Sequence, residues 1–373
     1  MSQISIVRCG QYELNRVMKA IEKSIDPFGG LRRFIKKGSR VLLKPNMLRA
    51  SSPEDGVTTH PVFLEAVVRL AQELGADVRI GDSPSAAYKG LPFFWAKTGF
   101  QDVVERTGAK LVNFEAEGTT LRKSGGHTFY IANSVFESDV VINLPKLKTH
   151  GLTLFTGALK NLYGTLPGLQ KTNFHKQFVH PGRFSNVFVH LYGVIRPRLH
   201  IMDAITGMSG NGPATGDIRE LGLILAGTDG VAMDAAAAQM IGFKPGEVDA
   251  VRIAGELGFG ESHVDKIQIV GELKTLPEIE KFPLPSNHLS RLVPDFLVRL
   301  AGRFLWVRPQ VTREKCVGCE VCARNCPVSA IQMEDGFPVM DYSICINCLC
   351  CNESCPESAI YQKLSWLARR FSG

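Results

Sequence analysis

The stretch Cys316-Val317-Gly318-Cys319-Glu320-Val321-Cys322-Ala323-Arg324-Asn325-Cys326-Pro327 sets a thiol at every third position and a fourth after three spacers, followed by proline. The phrase returns as Cys345-Ile346-Asn347-Cys348-Leu349-Cys350-Cys351-Asn352-Glu353-Ser354-Cys355-Pro356. This doubled spacing is the signature of two [4Fe–4S] cubanes. A cubane needs four thiolates at tetrahedral corners, and a tight loop with a Cys every third residue puts three of them around one cluster. The fourth, carried away by its proline, reaches the other cluster. Cys316, Cys319, Cys322 and Cys355 are therefore assigned to one cluster, and Cys345, Cys348, Cys351 and Cys326 to the second. Zinc ribbons use paired Cys-x-x-Cys but need only four ligands. A disulfide framework needs a secreted chain. The Cys-x-x-x-Cys-x-x-Cys spacing of radical chemistry is absent.

Between the repeats, Ala330–Met333 and Phe337–Met340 flank Glu334-Asp335-Gly336 and read as a β-hairpin. Ala359-Ile360-Tyr361 answers Ala330-Ile331-Gln332, so the repeat outlasts the cysteines. Residues 311–362 resemble the two-cluster bacterial ferredoxin. Cys350 is a ninth thiol of the module, read as an inert neighbour of the cluster, and Cys9 as a core residue of a first strand.

Net charge is +7, but residues 311–373 hold six Lys/Arg against seven Asp/Glu, so the excess lies in the rest of the chain. A basic body beside a cluster module suits an anionic ligand or an acidic electron donor. No basic-aromatic stripe points to nucleic acid. No basic leader precedes an apolar core at the N-terminus, and no run approaches the ~18 apolar residues needed to span a bilayer. Thiolate ligands in an otherwise Cys-poor chain suit a reducing cytoplasm, giving a cytoplasmic expectation.

Residues 1–271 alternate apolar strands with amphipathic helices. Strands are expected at Ile4–Arg8, Arg40–Lys44, Asp77–Ile80, Lys110–Phe114, Asp139–Asn143, His200–Asp203, Gly222–Ala226 and Lys266–Val270. Helices are expected at Glu13–Asp26, Pro61–Leu74, Phe93–Thr107, Thr153–Tyr163, Asn186–Val194, Gly230–Met240 and Val248–Leu257. This pattern defines an α/β fold: a mostly parallel, doubly wound sheet with helices on both faces, joined to a small α+β ferredoxin-like domain. Thr128–Ile131 adds an antiparallel edge. Ligands bind where loops leave the strand C-termini.

Those loops read Lys44-Pro45-Asn46-Met47, Gly81-Asp82-Ser83-Pro84-Ser85, Asn143-Leu144-Pro145-Lys146-Leu147-Lys148-Thr149-His150-Gly151, Asp203-Ala204-Ile205-Thr206-Gly207 and Thr228-Asp229-Gly230. With Gly157-Ala158-Leu159-Lys160-Asn161, these phrases resemble family 362 of domains of unknown function, often joined to ferredoxin modules; the resemblance covers residues 1–270. A helix over Thr153–Tyr163 places Thr153, Gly157, Lys160, Asn161 and Gly164 on one stripe. Its N-terminus, with Lys146, Lys148 and His150 just before it, is then an anion site. Lys146, Lys148 and Lys160 hold the anion, Asn161 orients it and His150 is the first candidate proton donor. Asp82, Asp203, Asp229 and Asp234 are weaker candidates for a divalent cation, Asp229 reading better as a helix cap. Gly207–Gly216 is not a dinucleotide fingerprint, because a strand rather than a helix follows it. It leaves room for a lid or a flavin-phosphate loop. The segment 170–183, with His175 and His180, shows no periodicity.

Proline-rich residues 272–310 form a connection with a short apolar-basic helix at Phe296–Trp306. Residues 363–373 form a similar amphipathic tail. Both could rest peripherally on a membrane or clamp the module to the body. The leading functional reading is a ferredoxin-linked reductase. Electrons from an external donor pass through two [4Fe–4S] clusters to an anionic small molecule, or to a flavin, in the body's crevice. The alternative is a non-catalytic electron carrier or redox-sensing docking protein.

Overall fold

A computed structural model describes residues 1–85, 90–286 and 306–366. The linker helix expected at Phe296–Trp306 and the tail beyond residue 366 lie outside the described residues, Trp306 itself apart. Strands β1 (Gln3–Arg8), β2 (Arg40–Pro45), β3 (Asp77–Gly81) and β4 (Lys110–Val112) precede a hairpin, β5 (Thr119–Ser124) and β6 (His127–Ala132). Then come β7 (Val140–Leu144), β8 (Lys146–His150), β9 (Leu154–Thr156), β10 (Leu199–Ser209), β11 (Asp217–Gly227) and β12 (Gln268–Gly271). The main sheet runs β12-β1-β11-β10-β7-β2-β3-β4, with β8 beside β10 and β9 beside β8. From β10 to β4 every pairing is parallel, and only β11 and β9 run against their neighbours. All eight expected strands form.

Period-two alternation puts Ile4, Ile6 and Leu42 in one apolar core and Val7, Val41 and Leu43 in another. Each face therefore needs its own helical layer. Helices Leu14–Ile25, Pro61–Glu73 and Phe100–Thr107 cover one face; Pro181–Ile195, Gly230–Met240 and Asp249–Glu256 cover the other. Leu14–Ile25 buries Val17, Ala20, Ile21 and Ile25, a helical stripe, and Glu13 caps it by accepting from the Asn15 and Arg16 N–H groups. Alanine-rich Gly230–Met240 is buried nearly all round, and Asp229 caps it.

Four local expectations need correction. The helix over Phe93–Thr107 breaks into Leu91–Lys97 and Phe100–Thr107, because Gly99 between them is left-handed at φ +75°. Thr128–Ile131 adds no edge to the main sheet; β6 pairs with β5 in a separate ribbon. The aperiodic segment 170–183 contains helix Gln170–Gln177 and opens helix Pro181–Ile195. The helix over Thr153–Tyr163 is absent. Leu154-Phe155-Thr156 folds back on β8 as β9, and one α-helical turn, Ala158–Asn161, follows, tightening into a 3-10 turn at Leu162–Thr165. Phe and Thr favour the pleated surface, and Gly157 holds a backbone no helix uses (φ −143°, ψ −141°). The N–H groups that open this turn are already answered by Asp234, at 2.5 Å to Ala158 and 2.9 Å to Leu159. The anion at this helix start is the protein's own carboxylate.

The C-terminal module is built from β13 (Val307–Val311), β14 (Ile331–Glu334), β15 (Phe337–Met340) and β16 (Ile360–Leu364). β14 pairs with β15, and β13 pairs with β16. Each feature of the first cysteine run recurs in the second at one fixed offset. Short helices Val321–Arg324 and Cys350–Ser354 correspond, as do the left-handed residues Gly318 and Asn347, Glu320 and Leu349, and Ser329 and Ser358. Residues 272–286 of the connection pack along the body: Phe282 is buried, and Pro283 O accepts from the Gly210 N–H at 2.7 Å.

Removing the Asp234 carboxylate strands two buried N–H groups, at about 1–3 kcal/mol each. Asp234→Ala is expected to lower unfolding free energy by about 3 kcal/mol. Urea titration with unchanged slope measures it.

Candidate functional site

Parallel strands deliver their C-terminal loops to one edge, and there the sequence places charge. Lys44, at the end of β2, pairs with Asp82 after β3 at 2.9 Å, and Lys146 pairs with Asp203 of β10 at 3.0 Å. All four side chains are buried. Lys146 Nζ also donates to Tyr12 Oη (2.6 Å) and Thr206 Oγ1 (2.9 Å). Asp82 further accepts from the Met47 and Ser83 N–H groups, and Asp203 from Tyr12 Oη and the His60 N–H. With Asp229 and Asp234 occupied as caps, the four aspartates sit in separate networks. Among the described residues no three His, Cys, Asp or Glu side chains converge on a point that would hold one metal ion.

Asn161 is likewise engaged. Its Nδ2 donates to Lys44 O (3.0 Å) and Asn143 Oδ1 (2.8 Å), while its Oδ1 accepts from Asn46 Nδ2 (3.0 Å). It ties its own turn to the ends of β2 and β7. His150 Nδ1 accepts the Leu152 N–H at 2.9 Å, which fixes the ring proton on Nε2, 3.2 Å from Glu353 Oε1 of the module. Burial, then the Lys160 charge, push the His150 imidazole down to about 3. Burial alone would raise the Glu353 carboxyl, but His150, Lys160 and His175 outweigh it and hold it well below the usual range.

A cavity of about 640 Å³, counting its open mouth, lies between the strand ends and the module. Lys148, Lys160, Asn161, Lys171, Ser83, Tyr163 and His175 line it from the body; Asn325, Cys350 and Glu353 line it from the module. Of the residues singled out from sequence, Lys148, Lys160 and Asn161 reach this wall, whereas Lys146 and His150 lie behind it. Lys148 Nζ donates to Asn46 Oδ1 (2.9 Å) and Val57 O (2.6 Å), with no carboxylate in contact among the described residues. Lys160 Nζ lies 5.7 Å from the Tyr163 ring centre and 5.9 Å from that of Phe184, and makes no hydrogen bond or ion pair among the described residues. Burial lowers all three lysines; Lys171, which donates to Ser83 Oγ and Leu166 O, falls to about 8. A buried wall carrying three amines beside two carboxylates, Glu353 and the Lys44-paired Asp82, favours an anion. Lys171 escaped sequence reading because its segment shows no periodicity, and Glu353 because cysteines surround it.

The module meets the body through buried polar ties. Arg49 donates to Cys355 O (2.6 Å), Ser358 Oγ (2.8 Å) and Ala214 O (2.9 Å), and Asn352 Nδ2 donates to Thr215 Oγ1 (3.2 Å). Gly151 lies so close to Gln362 that a β-carbon would sit 2.4 Å from its amide. Trp306 is half-buried and Trp366 exposed.

The cysteines fit clusters. Cys316, Cys319, Cys322 and Cys355 line one pocket of about 340 Å³ with Val321, Met333, Pro338 and Ile360. The thiols whose charge is felt at Cys345 are Cys348 and Cys326, and Cys351 feels that pair, Cys345 and also Cys322 of the first set. Each set mixes the two repeats. The Ala330 N–H points at Cys326 Sγ (3.2 Å) and the Ala359 N–H at Cys355 Sγ (3.3 Å), donors of the kind that surround cluster sulfurs. All ten cysteines are free thiols.

Fold and site together define an iron–sulfur electron-transfer protein with an α/β body. Comparison with known families makes this specific. The model of the domain of unknown function DUF362 matches residues 41–239, and a 4Fe–4S binding domain matches residues 309–332. The chain belongs to the DUF362 family, in a form fused to a ferredoxin module. It is 33% identical over 236 residues to the thylakoid-associated protein sll1697 of Synechocystis, covering 63% of this chain and 73% of that one. Over 50 residues it is 36% identical to subunit I of the F(420)H(2) dehydrogenase of Methanosarcina mazei, 13% of this chain and 28% of the subunit. Among solved structures, the lactate racemase apoprotein of Thermoanaerobacterium thermosaccharolyticum aligns with TM-score 0.43 at 13% identity, over 62% of this chain and 55% of that one. A Thermotoga maritima protein aligns with TM-score 0.38 at 14% identity, over 67% and 60%. Among the described residues no helix is long and apolar enough to cross a membrane.

Burial also holds His60 and His200 down to about 4. A base depressed in the folded state stays neutral there while the unfolded chain takes up a proton, so its contribution is complete above about pH 6.5 and lost on acidification. Stability is expected to fall from pH 6.5 toward 4, measured by urea midpoints across that range.

Proposed function

We propose that this chain is a ferredoxin-linked reductase whose eight module cysteines hold two [4Fe–4S] clusters and whose cavity holds an anionic small molecule or cofactor. The observation that carries the reading is the shared wall. Lys160 lines the cavity from the body, and Cys350 lines it from the module. Cys350 is the chain neighbour of Cys351, and consecutive Cα atoms lie about 3.8 Å apart. Bound clusters supply one-electron transfer beside that wall. The residues of the chain do the rest. Lys148, Lys160 and Lys171 neutralise the anion, Asn161 fixes the loops that carry them, and Glu353 balances Lys160 across the seam. Lys171 leads His150 as proton donor, because it faces the cavity. A flavin would meet the same lysines through its phosphate. The carrier reading draws on exposed Val317, beside Cys316, as a surface for a redox partner.

Anaerobic reconstitution is expected to load two clusters' worth of iron, with Cys350→Ser loading as much as wild type and Cys322→Ser losing one cluster. Mass spectrometry of the molecule that co-purifies should return an anion. With inorganic phosphate as probe, Lys160→Ala is expected to weaken binding about tenfold, near 1.4 kcal/mol. Amines bind anions only when protonated, so affinity should decline above about pH 8, where Lys171 deprotonates. Unchanged affinity in Lys160→Ala, in a chain that still loads iron, would leave the carrier reading in its place.

A further inference from the structure

We infer that the lysine-lined cavity is a redox-responsive anion site. It binds its anion more tightly while the cluster on Cys345, Cys348, Cys351 and Cys326 is oxidised than when that cluster is reduced. This is a regulation of the site proposed above and rests on that reading. What carries it is the quartet that the cavity wall abuts. Of the three module residues in the wall, Cys350 precedes Cys351 and Asn325 precedes Cys326, both thiols of the second quartet. Bonded neighbours have Cα atoms about 3.8 Å apart. Glu353 stands two residues from a thiol of each quartet. All three are buried, as are Lys148 and Lys160 of the body. Helix Gln170–Gln177, which brings Lys171 and His175 to the cavity, reaches the same place, since Thr172 Oγ1 donates to Asn325 Oδ1 at 3.4 Å. The first quartet faces elsewhere. Its pocket of about 340 Å³ takes in exposed Val317, Glu320 and Glu357. Among the described residues, none from the body lines that pocket and none lines both. Arg49, which meets Cys355 O, is not part of the cavity wall.

Reduction adds one negative charge to a cluster. The charges already in the wall, Lys148, Lys160, Lys171, Asp82 and Glu353, stand in both oxidation states, so the comparison isolates the added one. Like charges repel in inverse proportion to distance, and water screens the repulsion little in a buried wall. Burial lowers the Lys160 amine, while Glu353 and then Cys350 raise it, so this stretch of the module acts electrostatically on the amine that meets the anion. An anion held there meets the new charge of the second cluster across Cys350. A charge added to the first cluster lies behind a different wall. Linkage makes the effect reciprocal: the factor by which reduction weakens the anion is the factor by which the anion disfavours reduction.

Iron loading and phosphate binding by the oxidised, anaerobically reconstituted full chain are measured first. Failure of either overturns the reading of the clusters or of the cavity, and the inference with it. The redox comparison follows. Equilibrium dialysis of inorganic phosphate against the electrochemically poised chain is expected to give about tenfold weaker binding once the second cluster is reduced. In an EPR-monitored redox titration, saturating phosphate should lower that cluster's midpoint by the same factor, ~59 mV for a one-electron couple, and leave the first wave in place. Cys322→Ser, which loses the first cluster, assigns the waves, and its remaining wave should shift as in wild type. Lys160→Arg keeps the charge and the shift. Lys160→Ala, at the wild-type phosphate concentration, loses most of it. Equal or tighter binding in the reduced state, in a chain that loads iron and binds phosphate, overturns the inference alone. So does phosphate that moves the first wave alone or both waves equally.

Discussion

Buried charge has to be answered, and in this protein the answers come in pairs across elements. A lone ion in a dry interior costs several kcal/mol, and removing one partner of a buried pair typically costs 3–5 kcal/mol. Lys44–Asp82 and Lys146–Asp203 lock neighbouring strand ends at 2.9 and 3.0 Å. Across the boundary between body and module the ties are different: a neutral His150 imidazole lies 3.2 Å from the Glu353 carboxylate, and Arg49 donates to Cys355 O. The crevice that an open α/β sheet leaves at its strand ends is thus floored by paired charge and roofed by the cysteine module.

The architecture was largely legible in the sequence. Period-two runs such as Arg40–Pro45 sit between periodic helices, and the cysteine spacing announced the module. Residues 153–163 misread as a helix because Phe155, Leu159 and Leu162 fit helical spacing, while the competing force lies far away in the chain. Asp234 takes the N–H groups of Ala158 and Leu159, and β8 recruits Leu154–Thr156. Periodicity cannot see a partner some 75 residues distant. The same blindness applies to the basic loop. Lys146 and Lys148 are both buried and two residues apart, so strand alternation alone would set them on one face. Yet one pairs with Asp203 and the other lines the cavity; the β8–β10 register is irregular between the two.

What the loops achieve is a division among lysines of one sequence region. Lys146 is a strut, Lys148 is held by an amide and a carbonyl, and Lys160 faces the cavity near the Tyr163 and Phe184 rings, with Glu353 across the seam. The module completes that wall rather than hanging from a tether, because Asn325, Cys350 and Glu353 are part of it. Electron-carrying and ligand-facing residues therefore share one surface.

The strand pairing of the module has a further implication. β13 precedes the first cysteine run yet pairs with β16, which follows the second, while β14 and β15 form the matching hairpin in the middle. A half-length ancestor with one cysteine run would lack both a strand partner and the fourth thiol of its own quartet. It could complete itself only by pairing with a second copy about a two-fold axis. Joining two such halves in tandem turns a concentration-dependent encounter into an intramolecular one, so duplication would have freed the unit from dimerising and left its outer face open to be adopted by a larger host.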